Sequence, residues 1–178
     1  MILWHLGGTI ALVRYAFRDP NMDLRLLMVG AILPDLIDKP LGRVFHVAGH
    51  ESGKLWGHTL LFSAVLMILI LVITKRGTSH RRTWFPLAVG SLFHLVLDAM
   101  WTLSETFLWP FLGTDFTPAD PGNLGDSLID GLTSPWVVAG EVVGLIYLIW
   151  LWRAAGLSDR VRRRAFQKTG SVGVPIGG

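Results

Sequence analysis

His94 and Asp98 stand four residues apart, a spacing that puts two side chains on one face of a helix with Cβ atoms ~5–6 Å apart. An imidazole and a carboxylate so placed can hold one metal ion or bracket two. Asp35 and Asp38, three residues apart, share a face in the same way where a helix persists past Pro34, and His5 and His58 add two further imidazoles. The chain has no cysteine, which removes thiolate metal sites, iron–sulfur clusters, disulfide scaffolds and cysteine nucleophiles. A metal here would rest on nitrogen and oxygen. The expected ligands are therefore His5, Asp35, Asp38, His58, His94 and Asp98, and the expected cofactor is a divalent metal ion, zinc ahead of manganese or iron, one or two per site. Asp35, Glu105 and Glu141 are the candidate proton acceptors, and Lys39, Arg43 and Lys54 are the nearby cations suited to hold an anion. His46, His50 and Glu51 fall in the loop before His58, where solvated side chains are the default, and His80, beside Arg81 and Arg82, reads as unrelated.

The elements that must position these residues are apolar. The 178 residues are 51% hydrophobic and 16% charged, with a mean hydropathy of +0.49, where soluble domains run nearer about a quarter charged. That balance argues against a disordered chain, a fibrous repeat or an ordinary soluble enzyme. Leu55 to Thr74 contains no Lys, Arg, Asp or Glu and is long enough to cross ~30 Å of hydrocarbon. Thr83 to Leu103 is interrupted only by His94 and Asp98, and Ser134 to Trp152 only by Glu141. Ile2 to Val13 and Leu24 to Asp38 are shorter, and read as short or broken helices that complete a bundle. The expected fold is an all-α, polytopic transmembrane bundle of about five membrane helices over residues 1–152.

Lys and Arg counts orient it, because positive residues stay on the cytoplasmic side. With the N-terminus outside and the C-terminus cytoplasmic, residues 14–25, 75–82 and the tail hold 13 of the 16 basic residues, and only Lys39, Arg43 and Lys54 fall outside. No basic n-region precedes the first apolar stretch, so it reads as an N-out anchor and not as a cleaved signal. The expected location is the cell (inner) membrane, crossed several times. Residues 104–133 form an acidic, proline-broken loop with Phe107, Trp109, Phe111 and Phe116, expected as an extracytoplasmic lid. Residues 153–178 are basic and then glycine-rich, and are expected to lie disordered on the anionic inner leaflet. Nucleic acid is not an expected partner. Gly140 and Gly144 suit close helix contact, within the chain or across a homo-oligomer.

On this topology His5, Asp35, Asp38, His58, His94, Asp98 and Glu141 share a similar depth near the outer face. A charge in a bilayer costs at least ~2.5–3.5 kcal/mol on insertion scales, so the carboxylates need compensation. Neutral imidazoles cannot supply it, and a bound divalent cation uses carboxylate and imidazole together.

The order of these pieces resembles the YdjM-like family of membrane-bound metal-dependent hydrolases. The pieces are His5-Leu6-Gly7, Leu33-Pro34-Asp35 with Asp38, Gly57-His58-Thr59, Gly90-Ser91-Leu92-Phe93-His94 with Asp98, and Trp109-Pro110-Phe111, over roughly residues 1–115. The chain departs from the family's pattern in having Asp35-x-x-Asp38 for Asp-x-Asp, and Gly53-Lys54 for a His-Arg pair; His50 is the candidate replacement ligand. The resemblance implies a helical membrane protein with a distant likeness to zinc-dependent phospholipase C, in which His94 and Asp98 supply metal ligands. The expected activity is hydrolysis of a phosphate ester in a lipid or lipid-linked substrate, with membrane lipids as partners. The alternatives are a cation or proton transporter and a non-catalytic membrane subunit with a structural metal.

Overall fold

Side-chain oxygens fix where most of the helices begin. In the computed structural model, which describes residues 1–45, 47, 53–117 and 133–174, all regular structure is helical. The helices are α1 (Ile2–Phe17), α2 (Leu24–Arg43), α3 (Leu60–Ile73), α4 (Ser79–Leu97), α5 (Ser104–Phe107), α6 (Pro135–Ala154) and α7 (Arg160–Thr169), with 3-10 turns at Trp56–His58 and Met100–Thr102. Asp23, Thr59, Thr78 and Asp159 accept from the first free amides of α2, α3, α4 and α7. Such a cap contributes ~1 kcal/mol. Pro135 opens α6, where its missing N–H costs nothing.

Met1 offers α1 no side-chain cap, and the helix borrows one instead. Glu141 of α6 accepts from Leu3 N at 3.1 Å and Trp4 N at 3.2 Å. With Tyr147 meeting Arg14 at 3.2 Å, these contacts set α1 and α6 side by side and running in the same direction. Gly140 lies against Trp4, and Gly144 against Leu3 and Gly7, so these small residues serve a contact within the chain. α2 packs chiefly on α4, which also carries α3. A Cβ on Gly30 would fall on the Leu87 carbonyl and one on Gly90 on the Leu27 carbonyl, so α2 and α4 cross with their backbones in contact. Ile10, Val13, Leu24, Leu27, Val89 and Leu151 fill the core between them.

Several boundaries differ from those the sequence predicts. α2 runs through Pro34 and Pro40 to Arg43, five residues past the expected end at Asp38. Pro34 forgoes its bond to the carbonyl of Gly30, and burial against α4 holds the helix together across the gap. The span expected over Leu55–Thr74 shortens to the 14 residues of α3, because Leu55 to His58 turn inward. The span expected over Thr83–Leu103 starts earlier, at the Thr78 cap, and stops at Leu97. Ala99 adopts the left-handed region (φ 49°) just past it. Asp98, expected inside that span, is thus the helix C-cap. The tail, expected without order, carries α7, capped by Asp159 and closed by Gly170 at φ 72°.

Large apolar side chains face outward along α3 and α6: Val72 is 76% and Trp136 87% exposed. Among the described residues α6 alone is long and apolar enough to cross a membrane by itself, with α1 and α3 as shorter apolar helices. His46, His50, Glu51 and the part of the expected lid from 118 to 132 lie outside the described residues.

Candidate metal centre

Five side chains from four segments converge at the end of the bundle where α1 begins and α4 ends. His5 comes from the first turns of α1, Asp35 from the middle of α2, His58 from the turn before α3, His94 from the last turn of α4, and Asp98 from its C-cap. His5, His58 and His94 are 2%, 0% and 0% exposed.

The three imidazoles are held by one device. His94 Nδ1 lies 2.7 Å from the Ala31 carbonyl and His5 Nδ1 lies 2.5 Å from the Met1 carbonyl. A carbonyl only accepts, so both Nδ1 atoms carry hydrogen and donate it. His58 Nδ1 donates to Asp38 Oδ2 at 2.7 Å. All three Nε2 atoms are left facing one another and the two remaining carboxylates. His94 Nε2 is 3.2 Å from His58 Nε2, and His5 Nε2 is 2.9 Å from Asp98 Oδ1. Asp35 Oδ1 lies 3.5 Å from His58 Nε2 and 3.9 Å from His94 Nε2, and Asp98 Oδ2 lies 3.8 Å from His58 Nε2. The ring of His94 stacks on His5 at 4.2 Å between centroids and meets the edge of His58 at 5.0 Å.

In their neutral forms His58 and His94 would aim two lone pairs at each other across 3.2 Å, an arrangement that a shared proton or a cation between them relieves. Two sets of ligand atoms, His5–His94–Asp98 and Asp35–His58–His94, each lie within 4.8 Å of one another and share His94. These residues could hold a metal ion. Three nitrogens and two carboxylates, with no sulfur, suit zinc, manganese or iron.

Not every expected ligand belongs to this set. Asp38 is fully buried behind His58, and its carboxylate accepts from Leu55 N (2.6 Å), Gly57 N (2.9 Å) and His58 N (3.0 Å) as well as from His58 Nδ1. Both oxygens are taken, so it positions His58 and does not reach the centre. Glu141, expected as a base, is occupied as the cap of α1. Glu105 is exposed on α5, and among the described residues it has no bond to the cluster. Lys39 pairs with Asp35 Oδ2 at 2.5 Å and Lys54 with Asp98 Oδ2 at 3.0 Å, each over a third exposed. Arg43 lies against Gly53, next to Lys54, with its Nε unpartnered.

No residue type marks the Met1 and Ala31 carbonyls as acceptors, since any residue carries a carbonyl. The described start of the expected lid is pinned beside the site: Phe116 packs edge-on against Trp56 at 5.4 Å and stacks on Trp109 at 5.8 Å, while Thr117 N donates to Thr106 Oγ1 at 2.9 Å.

The model of the YdjM inner membrane protein family matches residues 1–160. The chain belongs to this family. The match supports a location in the membrane, which agrees with the outward apolar faces of α3 and α6. It speaks to the YdjM likeness and adds nothing to the phospholipase likeness. No curated protein and no solved structure matches the chain.

Proposed function

We propose that this YdjM-family chain is a polytopic membrane hydrolase, N-terminus outside and C-terminus cytoplasmic, whose divalent metal centre cleaves a phosphate ester of a lipid or lipid-linked molecule. The observation that carries the reading is the facing pair of His58 and His94 Nε2 atoms at 3.2 Å, with His5, Asp35 and Asp98 around them. A shared proton would relieve the pair, but five convergent donors exceed what a proton needs.

His5, Asp35, His58, His94 and Asp98 are the ligand set, as one ion or as two sharing His94. When bound, such an ion lowers the pKa of a coordinated water toward ~7 and polarises a phosphoryl oxygen. Asp35, at 18% exposure the most open carboxylate of the set, would turn Oδ1 to the ion and Oδ2 to Lys39, and so positions that cation at the mouth of the site. Lys39 and Lys54 flank the open side and hold the phosphate oxygens, with Arg43 behind them. His5, His58, His94 and Asp38 keep the floor of the site dry and rigid. Trp56, Trp109 and Phe116 offer an apolar wall to an acyl or prenyl chain.

Conduction of a cation or proton is the second reading, raised by the same histidine pair. Between the cluster and the far end of the bundle, the buried polar side chains among the described residues are Thr9, Ser63, Ser91 and Arg14, the last tied to Tyr147 and the Val174 carbonyl. The first three do not ionise, and an arginine keeps its charge, so it relays no proton and repels a passing cation; that stretch favours chemistry at one face over passage through both.

The test is turnover of phosphatidic acid, phosphatidylglycerol and a polyprenyl phosphate by the reconstituted protein with zinc or manganese. Hydrolysis that a chelator and His94→Ala both abolish supports the proposal. Metal bound without turnover of any phosphate ester moves the centre to a structural role, and ion flux in proteoliposomes moves it to transport.

A further inference from the structure

The end of the bundle away from the metal centre has a second chemistry. The ends of α1, α3 and α6 and the starts of α2 and α4 meet there. α7 follows α6 after a short turn and is tied back across this end: Leu24 N donates to the Gly170 carbonyl at 2.8 Å, Ser171 Oγ to the Pro20 carbonyl at 2.6 Å, and Arg25 to the Gln167 carbonyl. The helix is therefore fixed in place on the α1–α2 turn.

Arg160, Arg164 and Lys168 recur every four residues along α7 and are all exposed, which makes one basic ridge. Arg18, Lys75, Arg76, Arg82 and Arg153 are exposed around it. The acids of this end are Asp19, Asp23 and Asp159, of which Asp23 is buried and paired with Arg25, and Asp159 caps α7. A band of outward aromatics lies just beneath: Tyr15, Phe17, Trp84, Trp150 and Trp152. Aromatics of this kind mark the level of the headgroups, and the basic rim stands directly beyond them. Beside the α1–α2 turn, a cavity of about 260 Å³ is lined by Thr78, Arg81, Arg82 and Asp19 together with Met22, Phe85 and Pro86.

We infer that this end binds anionic phospholipid headgroups, with the Arg160–Arg164–Lys168 ridge of α7 as the principal contact. A fixed helix presents its charges without first losing the freedom of a disordered tail, so binding to it requires less ordering. The inference does not depend on the metal centre.

The full chain, purified with natural lipid and exchanged into a mixture of phosphatidylcholine with 30% phosphatidylglycerol, is compared with Arg160→Gln/Arg164→Gln/Lys168→Gln by counting retained lipids in native mass spectrometry. Thermal melting checks that the triple variant folds; all three side chains are exposed, and the caps Asp159 and Gly170 are untouched. The wild type should retain phosphatidylglycerol several-fold over its share of the mixture, and the variant should lose most of that excess. Val161→Cys carrying a polarity-sensitive dye gives a second reading: its emission should shift blue in discs with phosphatidylglycerol and revert at high salt. Retention of the two lipids in proportion to the mixture overturns the inference, as does an unchanged excess in the folded variant. A short duplex DNA that binds through the same three residues while phosphatidylglycerol shows no preference assigns the ridge to nucleic acid instead.

Discussion

Asp38 and Glu141 are both carboxylates at the depth of the site, and neither belongs to the metal set. Each spends its two oxygens on backbone amides, Asp38 on the turn at 55–58 and Glu141 on the open end of α1. Asp38 also fixes the tautomer of His58, so Asp38→Asn should leave metal bound but ~10–100-fold more weakly, the range for partners that orient a ligating histidine. Competition with a chromogenic chelator measures it, and an unchanged affinity would show that His58 needs no such partner. Glu141→Gln removes an acceptor charge from two amides without touching the cluster. Thermal melting should show it destabilised by ~1 kcal/mol, while metal content stays that of the wild type. The types and spacing of His94, Asp98, Asp35, His58 and His5 were legible in the sequence because ligating chemistry needs those residue types. The roles of Asp38 and Glu141 were not, because their partners are amides that every residue carries, brought near only by the fold.

Among the elements, the sequence located the helices better than their ends. The uncharged stretch 55–74 and the block 134–152 led directly to α3 and α6. Hydropathy could not see that Asp38 draws three amides out of the start of α3, nor that α4 stops at Asp98 with Ala99 in the left-handed region. That stop places Asp98 beside His5, while α2 running on past Pro34 keeps Asp35 and Lys39 one turn apart as an ion pair. The α2–α4 crossing fixes the distance between Asp35 and His94, and it exists only because Gly30 and Gly90 leave no Cβ at the contact. Gly90→Leu should therefore part the two helices. Overpacking of this kind costs ~1–3 kcal/mol, and here it should also strip the metal, since the Asp35 and His94 ligands move with the backbone. Elemental analysis beside a melting curve would show both effects. Metal retained in the variant would mean that the crossing does not set the site.

At the scale of the whole molecule, charge is segregated. Among the described residues, Asp35, Asp38, Asp98 and Glu141 lie at the end of the metal centre with Lys39, Arg43 and Lys54, and most of the basic residues gather at the opposite end around α7. This asymmetry was legible in the sequence, and it predicts opposite sides of the membrane for the two ends. The chain has no cysteine, so single cysteines can be placed freely. In spheroplasts, Phe111→Cys should react with an impermeant maleimide from outside, and Val161→Cys only after permeabilisation; the reverse pattern would invert the orientation. The order in α7 was not legible, because its apolar contact rests on Phe166 and its ties to Pro20 and Leu24 come from chain far away in sequence. The most direct measurement is the metal content of detergent-purified protein by elemental mass spectrometry, wild type beside His94→Ala and Asp98→Ala. The geometry predicts stoichiometric transition metal in the wild type and its loss in both variants. Folded wild-type protein without such metal, even after incubation with zinc or manganese, would contradict the metal centre and return its carboxylates and histidines to a proton path.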